Sequence, residues 1–190
     1  MLPRRAPGAT CFRIPASTAR APGPLLSGMA RQSSAQQPGI ALHLVQRGRQ
    51  ACFCGEAERL AYLQRLRAAS AALDCRLHAY VLMGNHVHLL VTPARANGGS
   101  ALLHELGASP AELDATPVVA PRYLLHCMRY IELNPVKAGL VRHPADYRWS
   151  SYHANALGWE DALLTPHPCY YALGRTAQAR CAAWRARTRE

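Results

Sequence analysis

Residues 76–92 read RLHAYVLMGNHVHLLVT, and this stretch constrains the fold more than any other. Two runs rich in aliphatic and β-branched residues flank Gly84-Asn85, a pair that tolerates the positive φ angles of a tight turn. Arg76–Met83 and His86–Thr92 are therefore expected to form a central antiparallel hairpin. Successive side chains of a strand point to opposite faces, so His86 and His88 share one face while Val87, Leu89 and Val91 share the other. One face of this strand is core, and the other carries two imidazoles side by side.

The elements around the hairpin follow from periodicity. Ala41–Arg47 (ALHLVQR) alternates apolar and polar groups, as a half-buried strand does, before Gly48 ends it. Glu56–Leu73 has Leu60, Leu63, Leu66 and Leu73 near helical spacing, with Glu56 and Glu58 at the positive end of the helix dipole. Residues 95–121 are less regular: a short helical run, SALLHELG, precedes a proline-punctuated piece in which only Pro117-Val118-Val119 suggests a strand. Arg122–Leu133 reads as a helix that ends near Asn134, because Pro135 disfavours helical geometry in the residue before it. Pro144–Leu157 and Thr176–Arg187 read as two further helices. The order strand, helix, strand, strand, short helix, strand, helix predicts an α+β fold: a ferredoxin-like antiparallel sheet with helices packed on one face, plus C-terminal helices.

At 190 residues the chain has room for one domain plus tails. Residues 1–38 hold six prolines, five arginines and no acid, and are expected to be a disordered extension, with Met29 an alternative start. The domain proper is expected over 39–174, and 175–190 as a C-terminal helix and tail. No apolar run approaches the roughly 20 residues of a bilayer-spanning helix, which predicts a soluble protein. Seven cysteines, an odd number without paired CxxC spacing, read as reduced thiols of a cytoplasmic protein. Cys52-Phe53-Cys54 reads as packing, since no second pair completes a metal site.

The net charge of +11 is carried almost wholly by arginine, for Lys137 is the only lysine. Arginine's planar fork suits phosphate, so a polyanionic partner is expected. On the helix that precedes Pro135, Tyr123, Cys127, Tyr130 and Asn134 follow at steps of four, three and four and line one face, beside a core stripe of Leu124, Met128 and Ile131. That spacing lets Tyr130 hold its hydroxyl over the sheet while Asn134 offers an amide oxygen to the divalent cation that His86 and His88 would bind. The same residues also fit a plainer role, with Tyr130 packing its ring and Asn134 capping the helix.

Four segments carry a family resemblance: LHLVQRG at 42–48, HAYVLMGNHVHLLVTP at 78–93, YLLHCMRYIELNPVKAGLV at 123–141 and ADYRWSSYHANALG at 145–158. Together they resemble the REP-associated tyrosine transposases, members of the HUH single-tyrosine class. The resemblance implies that His86, His88 and Asn134 hold Mg²⁺ or Mn²⁺ against a scissile phosphate, and that Tyr130 attacks it to leave a 5′-phosphotyrosine and a free 3′ hydroxyl. It implies single-stranded or hairpin DNA as the partner, contacted by Arg47, Arg49, Arg129 and Arg142, with Tyr123 stacking on bases. It implies no membrane partner and a cytoplasmic protein, at the nucleoid when DNA-bound, and leaves monomer and homodimer open. Trp149, Tyr147 and Tyr152 read as core packing.

The chain departs from that family between the histidine strand and the tyrosine helix. Relatives carry there a longer helix and an arginine-rich hairpin, whereas residues 95–121 run RANGGSALLHELGASPAELDATPVVAP, as after an internal deletion. Such a loss spares the metal ligands and the nucleophile but weakens the hold on DNA. An impaired remnant that only binds nucleic acid is the alternative expectation.

Overall fold

The computed structural model describes residues 37–48, 53–108 and 113–189. The expectations for residues 1–36 and for Arg49 lie outside them. Four strands, β1 (Ala41–Arg47), β2 (Cys75–Leu82), β3 (His86–Pro93) and β4 (Leu113–Val118), make one sheet in the order β2-β3-β1-β4. All neighbours are antiparallel. Helix α1 (Glu56–Ala72) connects β1 to β2, and α2 (Gly98–Glu105) connects β3 to β4. This is the ferredoxin-like arrangement expected from the order of elements.

The sheet is apolar on both faces, and each face has its own cover. Leu42, Leu44, Leu77, Leu82, Val87, Leu89 and Val91 pack with Tyr62 and Leu66 of α1 and with Leu102 and Leu103 of α2. Ala79, Val81 and Leu90 on the opposite face meet Leu124, Met128 and Ile131 of α3 (Pro121–Glu132). Each buried leucine contributes on the order of 1.5–3 kcal/mol relative to an exposed one. A β-bulge between Leu77 and Ala79 shifts the alternation, so Leu77, Tyr80 and Leu82 share the α1 face although 77 and 80 are three apart.

After α3 a short turn of helix, α4 (Asn134–Lys137), begins with Pro135 near its first position, where the missing N–H is harmless. The segment 144–157 is not the continuous helix expected. It divides into a 3₁₀ turn (Pro144–Asp146), an extended piece and α5 (Tyr152–Leu157). The extended piece pairs with β2: Leu82 donates to Trp149 O at 2.9 Å and Ser151 donates to Tyr80 O at 3.0 Å. β2 is an edge strand, and capping its open backbone outweighs the helical pattern of the segment. Tyr152 is buried on the α3 side as expected, whereas Trp149 packs at the rim of the α1 cluster between Arg59 and Arg148. α6 (Pro168–Tyr171) and α7 (Ala177–Thr188) follow, α7 capped by Thr176, whose hydroxyl accepts from Ala179 N–H at 3.1 Å.

β4 begins four residues before the Pro117 expected from sequence and pairs with β1 from Ala41↔Val118 to Gln46↔Leu113. Pro117 sits in this strand without loss, because β4 is the other edge and needs no second row of N–H donors. Among the described residues the cysteines are free thiols, and no helix is long and apolar enough to cross a membrane.

Candidate functional site

The register of β1 against β3 sets the site. Arg47 lies opposite His86, Val45 opposite His88 and His43 opposite Leu90, so these side chains all face α3. α3 crosses that face with its Leu124, Met128 and Ile131 stripe buried, which turns Tyr130 and, one turn on, Asn134 toward the histidine pair. His86 and His88 stand with ring centroids 4.9 Å apart and planes at 89°. The Tyr130 ring meets His88 edge-on at 5.6 Å and His43 at 6.0 Å.

Asn134 is buried between the two imidazoles: its amide nitrogen lies 3.4 Å from His88 Nε2, and the side chain also hydrogen-bonds His86. The other nitrogen of each ring is already engaged. His86 Nδ1 donates to Asn85 Oδ1 at 2.7 Å, and His88 Nδ1 is 2.9 Å from His43 Nε2. Both rings thus present Nε2 toward Asn134. Burial, followed by the charges of His43, His86 and Arg47, pushes the His88 pKa down to about 2. Burial and Arg47 also lower His86, partly opposed by Asn134. Both are neutral at physiological pH, which is the form that ligates a metal.

Whether these residues suit a divalent cation can be tested on spacing. Donors that surround a small cation at about 2.1 Å lie about 3 Å apart, close to the observed separation of His88 Nε2 and the Asn134 amide. A half-turn of that amide exchanges its nitrogen for its oxygen, the end that ligates. Among the described residues no three His, Cys, Asp or Glu side chains gather as metal ligands, so a three-donor site at this place would need the Asn134 amide beside His86 and His88. Two imidazoles and one amide oxygen form a neutral, open set that suits a hard cation keeping water and substrate oxygens as its remaining ligands. The residues fit the group.

Of the residues singled out from sequence, the structure brings together Tyr130, His86, His88 and Asn134. Arg47 is exposed at the same end of the sheet, and Arg129 is half-buried beside Tyr130 on α3. Tyr123 is 56% exposed, two turns before Tyr130, with Arg122 4.9 Å over its ring. Arg142 is exposed beyond α4. Three participants escaped sequence reasoning. His43 holds His88, and Lys137 places its ammonium 4.6 Å from the centroid of the Tyr130 ring. Glu132 is fully buried between Tyr130 and Asn134 in sequence and accepts from Ser151 Oγ at 2.7 Å, Asn155 Nδ2 at 2.7 Å and Trp184 Nε1 at 2.6 Å. That carboxyl ties α3 to the Ser151 turn, α5 and α7. The alternation of ALHLVQR already separated His43 from Leu42 and Leu44, but only the strand register shows what it touches.

No family model matches the chain, and no curated protein matches it. Among solved structures the chain is similar to a REP-associated tyrosine transposase bound to a REP hairpin, at 14% identity and a TM-score of 0.55. The likeness covers 75% of this chain and 93% of that one. At this identity it is a likeness of fold.

Proposed function

We propose that this chain is a metal-dependent single-strand DNA endonuclease and strand transferase that works at hairpin DNA through a covalent tyrosine intermediate. The observation that carries the proposal is the meeting of Tyr130, His86, His88 and Asn134 on the α3 side of the sheet, from two elements distant in sequence. A fold similar to that of a transposase solved with a DNA hairpin supports it.

In this function His86, His88 and Asn134 hold Mg²⁺ or Mn²⁺, which when bound offsets charge on the scissile phosphate and favours the phenolate of Tyr130. His43 and Asn85 fix the two imidazoles in the tautomer that presents Nε2. The Tyr130 hydroxyl makes no hydrogen bond to any described residue, so it is available to a phosphate. Its oxygen forms a bond to phosphorus as the bond to the 3′ oxygen breaks. The 3′ oxygen leaves as a hydroxyl, and the 5′ end stays on the tyrosine. One phosphate ester replaces another, and attack by a 3′ hydroxyl reverses the step. Arg47 and Lys137 add positive charge around the phosphate.

The test is to mix the full chain and Mn²⁺ with a panel of 3′-labelled hairpin oligonucleotides that carry single-stranded flanks. Label is expected to migrate with denatured protein, and to be lost with EDTA or in Tyr130→Phe. An adduct that survives Tyr130→Phe overturns the assignment of the nucleophile. Salt-sensitive binding without any adduct across the panel makes the chain a DNA-binding remnant instead.

A further inference from the structure

The outward side of α3 carries a second set of residues that the tyrosine site does not use. Arg122, Leu125, His126 and Arg129 recur at helical spacing and, with Arg187 from the last turn of α7, line an open groove of about 350 Å³. Arg122, His126 and Arg187 are exposed. Arg129 is half-buried, and its Nε is shut off from solvent without a hydrogen-bond partner. Buried polar groups are normally satisfied, and a guanidinium nitrogen more strictly than most. Among the described residues the one ion pair joins Arg148 to Glu56, so no described carboxylate pairs with these arginines. Like charges gathered on a groove repel, and an anion lying between them relieves that repulsion.

The groove also connects to the tyrosine site. Arg129 precedes Tyr130, and its charge acts on Lys137, whose ammonium lies over the Tyr130 ring. From Arg122 to Arg129 is seven residues, about 10 Å along the helix, longer than one phosphate group. Tyr123, exposed under the Arg122 guanidinium, offers an aromatic face at the far end. Leu125 leaves the floor of the groove partly apolar.

We propose that this groove is a track for the single-stranded flank of the substrate: successive backbone phosphates lie against Arg129, Arg187 and Arg122, leading away from Tyr130, and a base stacks on Tyr123. The proposal rests on the strand-transfer function above for its substrate class, but concerns binding and not cleavage. The contacts are to phosphate, so the track grips the strand without reading its sequence.

The experiment uses the full chain in a Tyr130→Phe background, which removes the nucleophile. Binding of a fluorescein-labelled 20-nucleotide single-stranded DNA is followed by anisotropy between 50 and 200 mM KCl. Arg122→Gln with Arg187→Gln is expected to weaken binding about 5- to 20-fold and to flatten the log–log salt slope by about 1.4, two phosphates at roughly 0.7 each. Arg67→Gln with Arg95→Gln removes the same charge from exposed positions elsewhere and is expected to change affinity less than about twofold. Equal losses in the two double variants, or an unchanged slope in the first, overturn the track. So does tighter binding of the matching RNA than of the DNA. A chain that forms no adduct but loses binding as stated keeps the track and loses the strand-transfer function. One that forms the adduct yet binds normally as the double variant does the reverse.

Discussion

His43 Nε2 on β1 and His88 Nδ1 on β3 lie 2.9 Å apart, with the two rings stacked at a 20° angle. Burial lowers His43 to about 4 and His88 to about 2, so both are neutral and one nitrogen must donate while the other accepts. With Nδ1–H of His88 donating, its Nε2 carries a lone pair toward Asn134. His43 is in this way a positioning residue for a ligand. His43→Phe keeps the ring volume and removes the acceptor, and is expected to weaken Mn²⁺ binding about 10- to 100-fold. His43→Gln, whose amide oxygen can accept, should recover part of that loss. Calorimetric titration with Mn²⁺ checks the order wild type, Gln, Phe. Equal affinity in all three would show that His43 merely packs.

Glu132 anchors α3 behind the site through its three buried hydrogen bonds. Burial raises its pKa, opposed by the three donors around it, Asn155, Ser151 and Trp184. Every neighbour donates, so an amide in its place would set N–H against N–H or O–H. Glu132→Gln is expected to cost about 1–3 kcal/mol and Glu132→Ala about 3–5 kcal/mol in urea unfolding. Both should lower covalent adduct formation more than hairpin binding, since α3 alone carries Tyr130 and leads into Asn134. Unfolding midpoints within error of wild type would remove the network from the account.

The contrast between what the sequence showed and what it hid is physical. β1, β3 and α3 were legible because their patterns are local: alternation separates His86 and His88 from Val87, Leu89 and Val91, and helical spacing separates Tyr130 and Asn134 from Leu124, Met128 and Ile131. The partners of Glu132 were not legible, for Ser151, Asn155 and Trp184 arrive from elements up to 52 residues away. A charged residue inside YIELNP reads as solvent-facing until those elements are placed. Pro144–Leu157 misled because its helical spacing competes with an edge strand that needs backbone partners. β4 extends beyond its apolar Pro117-Val118 signal because Asp114 and Thr116, opposite Val45 and His43, are polar and exposed on an edge strand and so break the apolar pattern.

Ligand removal has a readout separate from catalysis. A ligand that binds only the folded chain stabilises it by mass action, about 2.7 kcal/mol at a hundredfold excess over Kd. Mn²⁺ is therefore expected to raise the unfolding midpoint of the wild-type chain, and EDTA to reverse the rise. His86→Ala or Asn134→Ala should lower the shift, and the double variant should abolish it. His86 is half-buried at the rim, so its loss costs the apo fold little. A shift of the same size in the double variant would place the cation elsewhere.

His78 makes the last prediction, away from the tyrosine site. It follows the strand pattern of β2 into the bulge and is 2% exposed. Its Nδ1–H donates to Thr165 O at 2.6 Å, and its Nε2 accepts from the Thr92 hydroxyl at 2.8 Å, so the neutral ring is fully satisfied. Burial, with the charges of His167 and Arg76, brings its pKa from 6.5 to about 4, against the pull of the Thr165 carbonyl. Between those two values the unfolded chain holds a proton that the folded chain does not. Acid therefore favours unfolding: the contribution of His78 is level above about pH 7, is lost as pH falls from 6.5 toward 4, and is constant again below that. The slope within the window is at most about 1.4 kcal/mol per pH unit for one site. His43, with the same direction and window, adds its own share. Urea unfolding at intervals from pH 8 to 4 should show a flat stability that bends downward near 6.5, and His78→Gln, less stable at neutral pH, should bend less steeply by about one proton. Parallel curves for the two proteins would mean that His78 titrates alike in the folded and unfolded chains.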